Sequence, residues 1–226
     1  ALTENLKLGA RYVVTDVAGN DKYSAVGSVD GEFVFAPGWK VSGEYAQYTN
    51  REAANKVDAA AAKLDATGKI GALELTGNYT KVDEAYQPSF VNPDPDNGGI
   101  ETNVKSYSID GKLPIKALTL TGGYKLAGDE DWTGEKYSNK YAGAEYAFKL
   151  GAIEVTPRVK VEDTYYYIKD FEKDEGVVSE TVENFDLFKL TTGVKVALSP
   201  ITVNYDVTNA KYKYPDLGAT SYTDYY

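Results

Sequence analysis

Apolar and polar residues alternate with a period of two along most of the chain. In the first such segment the apolar positions are Leu6, Leu8, Ala10, Tyr12 and Val14. Residues 23–35 alternate in the same way. This period is typical of a β-strand with one apolar and one wet face. Helical spacing is confined to residues 51–62, and because strand-like alternation continues there too, the pattern predicts an all-β chain.

A short pattern of apolar, any, apolar, any, small, any and aromatic residues recurs. Six copies, two of them looser, occupy residues 6–12, 39–45, 73–79, 118–124, 153–159 and 201–207. All but the first follow a tight turn, such as Pro37-Gly38, and another alternating segment precedes each turn. The repeating unit is therefore predicted to be a β-hairpin with a short turn.

The connections at the other end of these hairpins are longer. They span residues 16–22, 47–57, 81–103, 127–139, 163–184 and 208–217. Most of the acidic runs fall in them, including NPDPDNGG at 92–99. Six copies, each followed by a loop and a descending strand, predict about 12 antiparallel strands in up-and-down order. Because a closed sheet leaves no exposed edges, we predict a single β-barrel domain over residues 1–226, with short turns at one end and long acidic loops at the other.

The apolar face is predicted to meet lipid. A barrel of this size is wider than the roughly eight-strand barrel that side chains can fill. Small residues on the apolar face, such as Gly31 and Gly43, would pack a soluble core badly, whereas they cost little against lipid. Aromatic residues recur at one offset, which suggests a membrane-interface girdle, although tyrosine also has high β-propensity. The predicted interface aromatics are Trp39, Tyr45, Tyr79 and Tyr124. We therefore expect a transmembrane β-barrel.

Composition removes several classes of function. The chain has 226 residues, a net charge of −10, no His and no Cys. Disulfides, thiolate nucleophiles, Ser-His-Asp triads and Cys/His zinc sites are thereby excluded. No apolar run approaches the about 20 residues of a membrane helix. An acidic chain with few arginines binds phosphate poorly, so nucleic acid is not an expected partner. Pairs of carboxylates could still catalyse a reaction, but such pairs are expected by chance in a chain this acidic. We therefore predict that the chain is not an enzyme, and we predict no cofactor.

These features resemble the porin-like outer-membrane β-barrel proteins of diderm bacteria. The resemblance rests on strands of about ten residues, short turns, long loops, the absence of Cys and the terminal Tyr226. It extends over the whole chain, but no motif assigns a subfamily. It implies an outer-membrane location after signal removal, periplasmic short turns and passive solute passage. Two features depart from it: Asp224 breaks the alternation of the last segment, and Pro157 demands an edge or bulge inside a strand.

If the apolar face meets lipid, the other face lines an interior with nearly balanced charge. Long side chains in mid-strand are expected at its narrowest section. The predicted pore-lining residues are Arg11, Glu44, Glu74, Lys125, Arg158 and Lys160. The net negative charge then lies mainly in the loops, which predicts a weak cation preference. Expected partners are the lipid bilayer with its outer-membrane lipids and small polar solutes, and the oligomeric state stays open.

Other interpretations remain open. Paired Lys and Glu could plug the interior and leave a structural or adhesive envelope barrel whose loops carry the function. A soluble extracellular glycan-binding or surface-layer β-protein is a third hypothesis.

The run at 94–99 resembles a calcium loop, but Lys105 stands where that loop needs Glu, so a solvated acidic loop open to divalent cations is favoured. Residues 165–167, all tyrosine, are expected to extend a strand with alternate rings packed on its neighbours rather than to stack on a sugar.

Overall fold

The structure, a computed structural model, describes most of the chain. The described residues are 5–16, 23–52, 55–88, 103–132, 134, 136–174, 177–213 and 222–225. Their regular structure consists of β-strands alone. No helix among them has the length and apolarity to span a membrane.

Thirteen strands lie within the described residues. They are β1 (Leu6–Asp16), β2 (Tyr23–Ala36), β3 (Trp39–Glu52), β4 (Asn55–Ile70), β5 (Leu73–Val82), β6 (Val104–Ile115), β7 (Leu118–Gly128), β8 (Lys136–Tyr146), β9 (Phe148–Leu150), β10 (Ile153–Asp174), β11 (Val177–Leu198), β12 (Ile201–Lys213) and β13 (Tyr222–Tyr225). Sheet order follows chain order, except that β9 pairs only with β10. The predicted antiparallel up-and-down sheet of about 12 strands is confirmed. Closure into a barrel stays a prediction.

The strands group into two compact units. The first comprises residues 1–68, 76–107 and 127–131, and the second comprises residues 69–75, 108–126 and 132–226. Each unit has its own register of paired strands: β1 to β4 in the first, and β8 to β13 in the second. The single barrel domain predicted for residues 1–226 is not tested by this division.

Two-residue turns join the hairpins at one end. They lie at residues 37–38, 71–72, 116–117, 151–152 and 199–200. Gly71 and Gly151 have φ angles of 61° and 63°, a left-handed conformation that glycine adopts without a steric penalty. Lys116 adopts the same region with φ of 56°. Pro114 lies within β6, which continues to Ile115, so the positive-φ Lys116 and not the proline marks this turn.

Two of the predicted long loops are largely strand, so this part of the prediction is wrong. Within 47–57, β3 continues to Glu52 and β4 begins at Asn55. Within 163–184, β10 continues to Asp174 and β11 begins at Val177. A two-stranded ribbon is held by backbone hydrogen bonds and tolerates charged side chains on both faces. An acidic run therefore does not show where a strand ends and a loop begins. The acidic run at 92–99 lies outside the described residues.

Pro157 lies opposite an interruption in the pairing of β10 with its neighbours. β8 pairs with β10 from Arg158 onwards, and β9 pairs with it up to Val155. Ala147 lies in the break between β8 and β9, and its N–H donates to the carbonyl oxygen of Ala117 at 2.8 Å. The register is the same on both sides of the break, and Pro157 pairs with Val194 on its other side, so the predicted edge or bulge does not form. The break means that no ladder donor is required of proline on the β8–β9 side of β10. At the other end of the sheet, β13 pairs with only four residues of β12.

Within each unit, alternation separates the paired strands into two faces that continue from strand to strand. Leu8 lies opposite Gly31 on what we call the apolar face, and Lys7 lies opposite Glu32 on the charged face. Among the described strands, the exposed large apolar side chains lie on the apolar face, except Val13 and Val57. The buried strand residues lie on the charged face, except two small ones on the apolar face. Those on the charged face are Ser24, Ala46, Tyr48, Ala59, Val82, Thr156, Thr164, Leu187 and Ala210.

Candidate functional site

The charged face of β1 to β4 carries an ionic network. Glu32 accepts from two lysines: its Oε1 lies 2.8 Å from Lys7 Nζ and its Oε2 lies 3.2 Å from Lys40 Nζ. Arg11 lies further from its nearest acid, with 3.9 Å between Nη2 and Asp30 Oδ1. The face is not strictly alternating in charge, since Asp30 lies directly opposite Glu44, but Glu32 is paired with a lysine on each side.

The second unit has a corresponding network in which glycine makes room for the contacts. Two guanidinium nitrogens of Arg158 on β10 donate to the carboxylate of Asp206 on β12. Nε lies 2.8 Å from Oδ1, and Nη2 donates to Oδ2. Gly193 of β11 lies between them in register, and a Cβ there would overlap the carboxylate. In the same way the hydroxyl of Tyr141 donates to Asp110 Oδ1 at 2.6 Å above a strand glycine. Side chains therefore interact across an intervening strand.

Aromatic rings line the charged face of the second unit beyond its ion pairs, towards the loop end. The Tyr166 ring stacks on Phe185 with centroids 4.6 Å apart and meets the edge of Tyr137 at 5.1 Å. Tyr212 continues the row at 6.2 Å from Phe185. The predicted packing of alternate rings from the tyrosine run is confirmed, since Tyr166 packs on both neighbouring strands while Tyr165 lies on the apolar face.

In the first unit, segment 83–88 after β5 folds onto the charged face. Tyr86 is buried against Tyr48, with ring centroids 5.9 Å apart. Asp83 holds the segment to β4 through Ala60: its N–H donates to the Ala60 carbonyl at 2.9 Å, and its Oδ2 accepts the Ala60 N–H at 2.8 Å. The sequence analysis missed this contact, and the only signal for it was an aromatic residue within a polar connection.

Electrostatics reinforce the attachment of segment 83–88. Asp83 Oδ1 lies 3.1 Å from Lys81 Nζ, and the same ammonium lies 2.6 Å from Glu130. Burial acts to raise the pKa of Asp83, but the Ala60 N–H and the Lys81 ammonium outweigh it and hold that pKa below its usual value. Burial, together with nearby Glu44, raises the pKa of the Tyr86 phenol. The segment is thus held by an ionised Asp and a neutral Tyr.

All six predicted pore-lining residues lie on the charged face. Arg11 and Glu44 belong to the first unit, where Glu44 stands between Asp30 and Lys63 in register. The other four belong to the second unit, which brings Arg158 and Lys160 into adjacent rows of β10. There Glu74 accepts from Lys69 at 2.7 Å, Lys125 Nζ lies 5.7 Å from the Tyr137 ring, and Lys160 Nζ lies 2.9 Å from Glu162. Their lining of a pore stays a prediction.

The predicted interface aromatics all lie on the apolar face. The Trp39 ring covers Gly68, whose missing side chain leaves space for it, and lies 5.9 Å from the Phe35 ring. Tyr79 packs on Tyr107 with centroids 5.1 Å apart. Tyr45 and Tyr124 are exposed. Their position at a membrane interface stays a prediction.

Within the part of the chain that the structure describes, no group of three or more His, Cys, Asp or Glu side chains could hold a metal ion. The calcium-loop candidate at 94–99 lies outside that part. The chain matches no protein-family model and no curated protein sequence.

Proposed function

We propose that the chain forms an outer-membrane β-barrel through which small polar or ionic solutes diffuse passively, with a weak cation preference. One observation carries the proposal: burial is inverted. Most of the exposed large apolar side chains of the described strands lie on one face, and most of the buried strand residues lie on the face that carries most of the charges.

The exposed face has a physical cost in water that it lacks in hydrocarbon. Leu8, Val203 and Tyr205 are 64%, 58% and 65% exposed, and their neighbours on the same face are largely apolar as well. Apolar surface left in water costs roughly 25 cal/mol per Å², and contiguous patches of this kind mark contact with lipid or protein. Strands that alternate apolar and polar residues are characteristic of transmembrane barrels.

The charged face supports an aqueous interior. Its ions are paired with one another, as in Lys7–Glu32 and Arg158–Asp206, so neither sign dominates along the strands. A lining of mixed sign has no strong field of its own, whereas the net charge of −10 attracts cations to the molecule as a whole. The expected selectivity is therefore weak and cationic.

Membrane insertion is tested by placing one arginine on each face of β2. Val29 is exposed on the apolar face, and the preceding Ser28 lies on the charged face. Val29→Arg is expected to destabilise the folded protein in lipid vesicles by about 2–4 kcal/mol, whereas Ser28→Arg, which lies opposite Arg11, should cost at most about 1 kcal/mol. Folding is followed by heat-dependent gel mobility and urea titration. Equal effects of the two substitutions would contradict a lipid-facing apolar surface.

Conduction is tested by single-channel recording of the full chain in a planar bilayer under a salt gradient. We expect discrete openings and a reversal potential of modest cation preference. A clear anion preference would contradict the proposed selectivity.

Segment 83–88 favours a second candidate, a structural barrel whose interior is plugged. It lies on the charged face and buries Tyr86 there. A folded, membrane-inserted protein without conductance would support this candidate over the channel.

A further inference from the structure

A cavity of about 450 Å³ opens on the apolar face of the first unit, a volume typical of small-ligand sites. Ala25 and Gly27 line it together with Tyr12, Tyr23 and Tyr45, and Arg11, Gln47, Thr49 and Lys56 add polar groups to the lining. Ala25 is 5% exposed, whereas Tyr12 is 73% exposed. The apolar face is therefore indented here between protruding rings.

Two basic residues stand side by side at the loop end of this cavity. Arg51 of β3 lies directly opposite Lys56 of β4, and Lys56 lines the cavity. Asp58 offsets one of the two charges: its Oδ2 lies 2.8 Å from Lys56 Nζ, and its Oδ1 accepts from the Thr49 hydroxyl at 2.7 Å. Like charges directly opposite each other are unfavourable, and a net positive charge remains among these three ionised groups.

We propose that this cavity binds one phosphate-bearing lipid. Its acyl chain lies against Ala25 and Gly27 between the tyrosine rings, and its phosphate is bound by Arg51 and Lys56. The inference rests on the proposed function, since it requires the apolar face to meet hydrocarbon and the loop ends of β3 and β4 to lie at the headgroup level.

The chemistry of the cavity selects this occupant. Ala25, Gly27 and the tyrosine rings give the cavity an apolar part that suits a hydrocarbon chain, whereas Gln47, Thr49 and Lys56 give it a polar part. Tyrosine favours the boundary between hydrocarbon and headgroups. The basic pair at one end calls for an anion, and a guanidinium binds phosphate oxygens through paired hydrogen bonds. A lipid with a phosphate of net negative charge meets both requirements, whereas a zwitterionic headgroup brings its own cation to the basic pair.

Native mass spectrometry tests the site. The full chain in detergent micelles is mixed with equimolar phosphatidylglycerol and phosphatidylcholine of identical acyl chains. The wild type is expected to retain one phosphatidylglycerol about fivefold more often than phosphatidylcholine, a preference of the size that one basic residue provides. Arg51→Gln and Lys56→Gln should each abolish most of that preference. Lys140→Gln, an exposed lysine on the apolar face of the second unit, should leave it unchanged.

Two further experiments distinguish binding of the acyl chain from binding of the phosphate. Ala25→Leu fills part of the cavity and is expected to lower retention of both lipids, whereas Ala142→Leu, on the apolar face of β8, is not. Heat-dependent gel mobility verifies that both variants fold. Soluble glycerol phosphate should fail to displace the bound lipid. Displacement by it would overturn the proposal in favour of a simple phosphate site.

Retention of the two lipids in equal amounts would overturn the inference, as would an equal loss of preference in Lys140→Gln. If the wild type inserts and conducts but shows no preference, only the lipid site fails. If the chain does not insert into vesicles at all, the proposed function fails and the lipid site fails with it.

Discussion

Arg158 binds Asp206 across an intervening strand. Gly193 of β11 lies between them in register, and its lack of a side chain lets the two ions meet over about two strand spacings, or about 9.5 Å of sheet. Tyr141 reaches Asp110 in the same way. Glycines on the charged face thus have a specific purpose: they extend ionic contacts beyond nearest-neighbour strands.

Gly193→Ala is expected to break the Arg158–Asp206 contact, because the added Cβ would overlap the carboxylate. In urea titrations of the vesicle-folded protein, Asp206→Asn should destabilise the wild type but have little further effect in the Gly193→Ala background. Gly111→Ala is the matched control, since the nearest atom to its added Cβ lies 3.7 Å away. An Asp206→Asn effect of the same size in both backgrounds would rule out this role for Gly193.

Attachment of segment 83–88 is expected to weaken in acid. The pKa of Asp83 is lower in the folded state than its ordinary value of 3.8, so folding favours the ionised form. The stabilisation is therefore complete above the ordinary pKa and is lost as the pH falls through the lowered one. Hydrogen exchange, corrected for the intrinsic pH effect, should show Ala60 N–H protection constant above about pH 5 and falling below about pH 4.

Asp83→Asn is the control for this acid effect. The variant keeps a side-chain acceptor for the Ala60 N–H but cannot titrate, so its protection should be lower than that of the wild type and independent of pH in this range. The amides of β8, which lie in a regular ladder, serve as an internal reference. An unchanged acid response in Asp83→Asn would assign the effect to another group.

Removing the Tyr86 ring is expected to detach segment 83–88 from the charged face. The ring is 6% exposed, and truncating a buried aromatic to Ala costs about 3–5 kcal/mol. If the charged face lines a conducting interior, single-channel conductance of Tyr86→Ala should exceed that of the wild type. Gln87→Ala alters an exposed neighbour and should conduct as the wild type does. Equal conductance of all three would place the segment outside the conduction path.

The Trp39 ring reports on both its packing and its membrane depth. In a Trp132→Phe background it is the one remaining tryptophan of the chain. Its emission should be quenched more by lipids brominated near the headgroup than by lipids brominated at the chain end, as expected of an interface aromatic. Gly68→Ala displaces the ring from β4 and should shift the emission to longer wavelength. Stronger quenching from the chain end would contradict the interface position.

Strands were predictable from the sequence because a period of two is a local property. The alternation of residues 6–14 indicates a strand and its two faces even when the neighbouring strands are not known. The ends of β10 and β11 were not predictable from the sequence. Backbone hydrogen bonds pair these two strands, and the charged run at 169–176 shows no alternation of apolar and polar residues that would indicate a strand. The position of Tyr86 was also hidden, since docking on Tyr48 depends on residues far apart in the chain.

Residue order alone therefore established an all-β chain of paired hairpins in which apolar and charged side chains take opposite faces. Folding decided which partners the charges would find: Arg158 with Asp206 over Gly193, and Asp83 with the Ala60 amide. It also decided that most of the buried strand residues would lie on the charged face. The reason is physical: alternation is set by backbone geometry within one strand, whereas register, burial and ion pairing exist only after separate strands have come together.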